Sequence, residues 1–214
     1  MSIKEKTKEF IIENKSMLLN IYLIINLGGY AAWQTYNTWL EGNLDFVEIS
    51  FGVQNVIMLL FILIRNKHKA IDKVSWHQVV ALTAFFSGLL FIGQPVTGGE
   101  DAKLISKIVI LSSNIFGAIT LLNLGRSFGI MIALREVRTG GLYSFVRHPM
   151  YGTDILLRIG FIISHFSYVS IILFVISTGC YIYRAILEER FLKQDEEYKM
   201  YMLKVKYRFI PLVF

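Results

Sequence analysis

The sequence predicts an all-α, polytopic integral membrane helical bundle of about six spans, and three observations lead to this fold class. Of the 214 residues, 54% are hydrophobic and 18% are charged, whereas soluble domains carry about 25% charged residues. Long apolar runs alternate with short charged clusters. The mean hydropathy is +0.51. Disorder is excluded by the many apolar and aromatic residues, and a disulfide scaffold is excluded because Cys180 is the only cysteine.

A membrane-spanning helix needs about 20 mostly apolar residues, and six stretches approach that length. They are 17–40, 46–64, 75–93, 104–124, 150–166 and 168–187. The first run lacks a small-residue cleavage site, so we interpret it as a retained helix and not as a secretory signal. A tight turn at Ser167 separates the short fifth stretch from the sixth. These two are expected to form a helical hairpin, and whether it crosses the whole bilayer is left open.

Positive charges predict the orientation of the spans, because Lys and Arg concentrate in cytoplasmic segments. They cluster at the N-terminus, after the second and fourth spans and in the C-terminal segment, whereas the opposite loops hold only Lys103 and Lys107. The sequence therefore predicts a multi-pass protein with both termini in the cytoplasm. The membrane would be a bacterial or archaeal cell membrane, or the endoplasmic reticulum. This topology also explains the net charge of +6, so nucleic acid is not expected as a partner.

The segment 125–151 is much richer in Arg and Gly than its surroundings. Gly140 and Gly141 permit positive φ and a close approach of the backbone to a ligand. Pro149 is expected in the first turn of a helix whose free N–H groups point back at this loop and attract anions or polar ligands. The alternative is an ordinary loop whose arginines bind lipid phosphates.

A second group of polar residues lies near the end of the sixth span. Arg184 and Glu188 are four residues apart and share one helix face. They form either a weak surface pair or a polar site at the membrane boundary, and Arg184 could also extend to the interface. Asp154 and Arg158 have the same spacing and are expected to pair, with Asp154 at a ligand pocket as the alternative. One cysteine and four scattered histidines cannot build a four-ligand zinc site, so no metal is expected.

Three motifs in order carry a family resemblance: LREVRTGGLYSFVRHPMYGTDIL, then EERFL, then EEYKMYMLKVKYRFIP. Over roughly residues 120–211 the chain resembles the superfamily of isoprenylcysteine carboxyl methyltransferases and phospholipid methyltransferases, which are integral membrane enzymes. The motifs are specific for the superfamily and not for the substrate. The carboxyl methyltransferase branch commonly has residues like His-Thr-Leu-Val where this chain has Arg135, Glu136, Val137 and Arg138.

The resemblance implies an enzyme that uses S-adenosyl-L-methionine in a cytoplasmic pocket built by the C-terminal half. Residues 101–214 would form the methyltransferase region, and residues 1–100 would supply transmembrane helices without a catalytic motif. Arg184 and Arg147 are expected to be catalytic, with Arg184 also facing the substrate carboxylate. The expected cofactor-binding residues are Arg135, Glu136, Val137, Arg138, Tyr143, His148, Pro149, Met150, Tyr151 and Glu188.

The implied acceptor is a lipid or prenylated molecule that enters from the bilayer, and the nearest activity is carboxyl methylation of the isoprenylcysteine type. A carboxylate is already ionised at pH 7, so it needs no general base, and an arginine fork can hold it. A phospholipid amine or a small thiol is the alternative, for which His148 or a Glu would act as base. A transporter or structural membrane protein is the alternative outside enzymes, although the matching polar breaks of transporters are not seen. The oligomeric state is not predicted.

Overall fold

A computed structural model of the protein describes residues 21–42 and 44–211, which are mostly helical. The described residues form seven α-helices: α1 (Gly29–Leu40), α2 (Phe46–Ile64), α3 (Ser75–Phe86), α4 (Glu100–Leu124), α5 (Pro149–Ser164), α6 (Tyr168–Leu192) and α7 (Glu196–Lys204). A π-helical stretch, Ile24–Gly28, precedes α1, and 3₁₀ turns occupy Ser87–Phe91, Gly125–Ser127 and Gly141–Ser144. Two short strands, β1 (Ala70–Ile71) and β2 (Ala133–Leu134), pair antiparallel.

Three helical segments in the described part of the chain are long and apolar enough to cross a membrane. They are Phe46–Ile64, Glu100–Ser127 and Tyr168–Leu192, and they correspond to the second, fourth and sixth predicted spans. The mostly helical, membrane-associated character expected from the sequence is confirmed.

The remaining predicted spans are shorter or only partly described. The third predicted span forms the apolar helix Ser75–Phe91, whose last turn is 3₁₀. The fifth forms the 16 residues of α5, which are about 24 Å long against the ~30 Å of a bilayer core. The first begins among residues 1–20, which lie outside the described residues, as do residues 43 and 212–214. The count of six spans and the cytoplasmic location of both termini therefore stay predictions.

The chain divides into two compact units, Met1–Ile64 and Arg65–Phe214. Within the first unit, the π-helical stretch and α1 pack on α2, and Gly28 lies against the side chain of Leu59. The second unit contains α3 together with all the motif-bearing segments. The functional division expected between residues 100 and 101 stays a prediction, but α3 belongs to the same compact unit as the motifs.

Small residues bring α4 and α5 together over most of their length. Ser106 Oγ donates to the carbonyl oxygen of Gly160 at 2.7 Å, and Ser113 Oγ donates to that of Thr153 at 2.7 Å. Such residues let helix backbones approach closely, and their hydroxyls hydrogen-bond across the interface where lipid offers no partner. The close packing fixes α5, whose first turn carries the Arg-His-Pro motif.

The side chain of Gln78 connects α3 to the segment that enters β2. Its amide nitrogen donates to the carbonyl oxygens of Asp72 and Ile132, and its amide oxygen accepts from the Ile132 N–H at 2.9 Å. Because Gln78 is buried, these bonds satisfy backbone groups that have no water to bind. Helix α3 and the residue Asp72 before it are thereby attached to the segment around Ile132, whose neighbours Met131 and Ala133 line the site described below.

The α5–α6 hairpin confirms the tight turn expected around Ser167. Helix α5 ends at Ser164, and α6 begins at Tyr168 with the Ser167 hydroxyl accepting from the Ser170 N–H at 3.0 Å. His165, the residue after α5, has its Nδ1 2.8 Å from Ser164 Oγ, and its ring stacks on that of Phe161. Helix capping and ring stacking therefore close this turn.

We predict that Gly160→Ala destabilises the α4–α5 pair. A Cβ at this position would lie 2.8 Å from Ile110 Cγ1 and 3.1 Å from the Ile110 backbone nitrogen. Overpacking of this kind costs about 1–3 kcal/mol of unfolding free energy, which thermal unfolding in detergent would measure. Gly179→Ala in α6 is the control, because nothing lies within 4 Å of its Cβ. Equal effects of both changes would contradict the packing argument.

Candidate functional site

A cavity lies where the loop between α4 and α5, the first turns of α5 and the last turns of α6 meet, with α7 on one side. Eleven of the residues predicted for the site line it: Arg135, Glu136, Val137, Arg138, Tyr143, Arg147, His148, Met150, Tyr151, Arg184 and Glu188. Pro149 does not line it and instead begins α5, the helix position expected for it. Residues from the sequence motifs thus line the same cavity.

Gly141 has the positive φ expected of the glycine pair, at 61°, whereas Gly140 has φ −94°. A Cβ at Gly141 would overlap the side-chain amide of Asn123. That amide oxygen accepts from the Leu142 N–H at 2.9 Å. Glycine is therefore required here both for its backbone conformation and for the approach of Asn123, which attaches the loop to the end of α4.

Glu188 and Tyr151 form one wall of the cavity. The Tyr151 hydroxyl donates to Glu188 Oε2, and the Tyr151 ring stacks on that of His148 at a centroid distance of 5.1 Å. Glu188 is half-buried and Tyr151 is buried. The carboxylate of Glu188 is held in place by one hydrogen bond, and its charge faces a cavity with aromatic walls.

Arg184 is almost fully buried, with 3% of its surface exposed. Its Nη1 donates to the carbonyl oxygen of Ala81 at 2.9 Å, and its Nη2 donates to that of Ile130 at 2.7 Å. Its guanidinium carbon lies 5.1 Å from the centre of the Tyr151 ring. Arg184 therefore neither extends to the membrane interface nor forms a simple surface pair. Its two hydrogen bonds connect α6 to Ala81 of α3 and to Ile130 in the segment before β2.

The Nε of Arg184 is buried and has no hydrogen-bond partner among the described residues. Arg184 also lines the cavity, so a buried cation with an unused donor lies at its wall. This combination makes Arg184 at once a structural connector and a candidate binding group.

Asp154 lines the cavity, which agrees with the alternative that placed it at a ligand pocket. Its Oδ2 accepts from the Tyr181 hydroxyl at 2.7 Å. Arg158 does not use this carboxylate in its hydrogen bonds; it donates to the backbone carbonyl oxygen of Asp154 at 2.8 Å and to Ser87 Oγ at 3.1 Å. The expected charge pair between the two side chains is therefore wrong, because Arg158 binds the backbone of Asp154 and the carboxylate stays at the cavity wall.

Glu189, the neighbour of Glu188, points into the protein and is 2% exposed. Its Oε1 accepts from Arg147 Nε at 2.8 Å and lies 3.2 Å from His148 Nε2. Its Oε2 lies 3.1 Å from Arg208 Nη2. One carboxylate therefore joins the Arg-His-Pro motif to the C-terminal segment.

The C-terminal segment is also paired with the Arg-His-Pro motif through the backbone. The Arg147 N–H donates to the carbonyl oxygen of Tyr207 at 2.9 Å, and the His148 N–H donates to that of Arg208 at 2.8 Å. Arg147 Nη1 donates to the carbonyl oxygens of Val205 and Lys206. The guanidinium of Arg147 is thus occupied by Glu189 and the backbone, although Arg147 borders the cavity.

Tyr198 and Tyr201 of α7 line the side of the cavity opposite α5. The Tyr201 hydroxyl donates to the carbonyl oxygen of Tyr143 at 2.7 Å. Burial, reinforced by the negative charge of Glu188, raises the pKa of the Tyr143 and Tyr198 phenols, and burial also raises the pKa of Tyr201. All three phenols are therefore neutral at pH 7 and act as hydrogen-bonding groups and apolar walls.

Arg135 is 8% exposed, and its Nε has no partner among the described residues. Burial, and next the positive charge of Arg65, lower its pKa to about 10, while Glu188 acts in the opposite direction. The guanidinium is still charged at neutral pH. By contrast, the nearby Arg138 forms an exposed ion pair with Glu136 at 2.9 Å.

Several cavity residues were not predicted from the sequence, and most are apolar or backbone contributors: Phe85, Leu124, Ser127, Phe128, Gly129, Met131, Ala133, Leu134, Tyr181 and Leu192. Phe85 comes from α3, which carries no motif. Tyr181 lies seven residues before Glu188 in α6, and that spacing of two helical turns could have placed it on the same face. Within residues 21–42 and 44–211 there is no cluster of three or more metal-ligating side chains.

Comparison with known proteins identifies the part of the chain that builds this site. Residues 96–198 match the model of the phospholipid methyltransferase family. The matched region is thus similar to integral membrane methyltransferases that act on phospholipids. The resemblance inferred from the three motifs is confirmed, and methyltransferase activity on lipid-like substrates is what the family indicates. A search of curated proteins found no match.

The methyltransferase match ends before Tyr201 and Arg208 and begins after α3. The cavity and the ion network around Glu189 nevertheless use both flanking parts. The site is thus built from the matched region together with segments on each side of it.

We predict that Glu189→Gln lowers the free energy of unfolding by about 3–5 kcal/mol, the usual effect of removing one partner from a buried ion pair. The change leaves the cationic groups of Arg147 and Arg208 without their carboxylate. Denaturant unfolding in detergent would measure the loss. Glu196→Gln is the matched control, because its pair with Lys199 is exposed and such pairs contribute little. A Glu189 variant as stable as the control would refute the assigned role of the network.

Proposed function

We propose that the protein transfers a methyl group from S-adenosyl-L-methionine to a lipid or lipid-like acceptor at the membrane. The observation that carries this proposal is the single cavity in which the loop, Arg-His-Pro and Glu-Glu motifs meet. The methyltransferase family match over residues 96–198 supports the reaction class. A transporter or structural protein would not need these motifs around one site.

The cavity residues offer charged groups and flat apolar surfaces that suit the groups of the cofactor. Glu188 offers a carboxylate for an ammonium or hydroxyl group, and the aromatic rings of Tyr143 and Tyr151 offer flat apolar surfaces. The buried Nε atoms of Arg135 and Arg184 have donor capacity that no described residue uses. We propose that the loop from Arg135 to Arg138, Tyr143, His148, Met150, Tyr151 and Glu188 hold the cofactor, and that Pro149 contributes by starting α5.

When bound, the cofactor supplies an electrophilic methyl group on a sulfonium. The protein then has to align the acceptor and exclude water, because in-line displacement depends mainly on positioning. Arg147 acts as a positioning residue, since Glu189 and the carbonyl oxygens of Val205 and Lys206 occupy its donors. Tyr151 orients the carboxylate of Glu188.

The first acceptor class is a carboxylate, as in methylation of the isoprenylcysteine type. Arg184 supports it, because this buried cation lines the cavity with its Nε unpartnered. A carboxylate is ionised at neutral pH and needs no base. Arg184 would hold it by a charge-assisted hydrogen bond.

The second acceptor class is a phospholipid amine, which the family match favours. An amine must lose a proton, so it requires a base within hydrogen-bond reach. Asp154 lines the cavity with its Oδ2 already bonded to the Tyr181 hydroxyl. Its carboxylate would accept the proton, and it would also attract the cationic form of the amine.

We further propose that the motif-bearing end of the bundle faces the cytoplasm, together with both termini. The Lys and Arg clusters of the sequence support this orientation. The soluble cofactor would then enter from water and the lipid acceptor from the bilayer. Membrane lipids are the expected surroundings, and nucleic acid is not an expected partner.

We predict that Glu188→Ala weakens binding of S-adenosylhomocysteine by about 10- to 150-fold, because a hydrogen bond to a charged group contributes about 1.5–3 kcal/mol. Calorimetric titration of the purified, detergent-solubilised protein would measure this. Glu197→Ala is the control, since Glu197 is exposed in the first turn of α7. Unchanged binding in a folded Glu188→Ala variant would exclude Glu188 from the cofactor site.

We predict that Arg184→Lys and Asp154→Asn separate the two acceptor classes. For a carboxylate acceptor, Arg184→Lys should reduce turnover at least tenfold because a point charge cannot reproduce the guanidinium fork, whereas Asp154→Asn should have a small effect. For an amine acceptor, loss of the base should lower turnover by 10²–10⁴-fold in Asp154→Asn. Methyl transfer from radiolabelled donor to a prenylcysteine and to phosphatidylethanolamine would measure both. Normal turnover in both variants would contradict both assignments.

A further inference from the structure

Arg135 presents a charge that the protein itself does not neutralise. Its side chain is more than nine-tenths buried and lines the cavity. No described residue accepts a hydrogen bond from its Nε. A desolvated cation is costly unless a partner compensates it. An arrangement with an unpaired guanidinium at a cavity wall is therefore completed by a ligand with a negative charge.

The surroundings of Arg135 hold the guanidinium in this position. Gly129 lies directly behind it, and a Cβ at Gly129 would overlap the terminal nitrogens of Arg135. The backbone of residues 133–134 is fixed by its pairing with β1. The buried position of Arg135 therefore depends on a glycine that leaves room for it and on a sheet that fixes the preceding residues.

The neighbouring arginine of the loop, which also lines the cavity, differs in burial and in pairing. Arg138 is paired with Glu136 at 2.9 Å, and that pair is largely exposed. The charge of Arg138 is thus already neutralised by the protein. Of Arg135 and Arg138, only Arg135 is buried and not paired with a described carboxylate.

Glu188 places a negative charge in the same cavity. It lines the same cavity with its carboxylate fixed by Tyr151, and its negative charge acts on Arg135. A cavity with a fixed anion and a fixed cation is complementary to a zwitterion that carries an ammonium and an acidic group close together.

We propose that the side chain of Arg135 is an anion subsite which, together with Glu188, recognises a zwitterionic group. This inference rests on the proposed function. Two ligands supply that chemistry: the amino-acid part of the methyl donor, through its carboxylate, and the headgroup of a zwitterionic phospholipid acceptor, through its phosphate. The guanidinium fork matches either acid.

The test measures ligand binding to two variants of the protein. Arg135→Gln removes the positive charge, whereas Gly129→Ala retains the charge but displaces the guanidinium. Calorimetry with S-adenosylhomocysteine and with 5′-methylthioadenosine, which lacks the amino-acid part, examines the donor. Calorimetry with short-chain phosphatidylethanolamine and with short-chain diacylglycerol, on protein saturated with S-adenosylhomocysteine, examines the acceptor. Arg126→Gln removes an equal charge from an exposed residue outside the cavity and is the control.

If Arg135 binds the donor carboxylate, both variants lose about 10- to 150-fold in affinity for S-adenosylhomocysteine and keep their affinity for methylthioadenosine. If Arg135 binds the phosphate, the same loss appears for phosphatidylethanolamine and not for diacylglycerol. The control keeps the affinities of the unchanged protein.

The proposal is overturned if the unchanged protein binds these ligands and both variants bind them within twofold of it. Failure of the unchanged protein to bind S-adenosylhomocysteine would instead refute the proposed function, and this inference with it. Thermal unfolding checks that each variant is folded, and Gly129→Ala decides the question if Arg135→Gln does not fold.

Discussion

The arrangement of the site depends on the burial of one carboxylate. A buried charge is tolerated only when it is paired and hydrogen-bonded, and Glu189 achieves this with Arg147, His148 and Arg208. These three residues come from the loop, from the position before α5 and from the C-terminal segment. Because all three must reach the same carboxylate, the segments that carry them have to converge on the last turns of α6.

The position of Glu189 explains why the motif contains two adjacent acids with different surroundings. Successive residues of an α-helix are rotated by about 100° around its axis. When Glu189 faces the ion network, Glu188 is turned toward the cavity, where Tyr151 fixes it. The second acid therefore holds the walls of the cavity together, and the first lines the cavity. Sequence reasoning chose Glu188 for the cofactor and left the network unassigned, since spacing alone does not reveal which acid is buried.

The features of the fold that depend on local sequence could be predicted. Apolar length indicates α2, α4 and α6, Pro149 begins α5, and Gly141 takes positive φ. The partners of Arg184 could not be predicted, because they are the backbone carbonyl oxygens of Ala81 and Ile130. Every residue type carries such an oxygen, so no sequence pattern marks it. Because the carbonyl oxygen of Ala81 belongs to α3, the sequence also did not indicate that α3 takes part in the site.

The charges of the cavity differ in how far the protein satisfies them. The guanidinium of Arg147 is occupied by Glu189 and two carbonyl oxygens, whereas Arg135 and Arg184 each retain a buried nitrogen without a partner among the described residues. Polar groups that are hydrogen-bonded within the protein hold the cavity walls together. A buried polar group without a partner would stabilise a complex by forming a hydrogen bond with the bound ligand. A family motif identifies which residues surround the site. Under the proposed function, the unpartnered nitrogens of Arg135 and Arg184 are the groups that we expect the methyl donor or the acceptor to use.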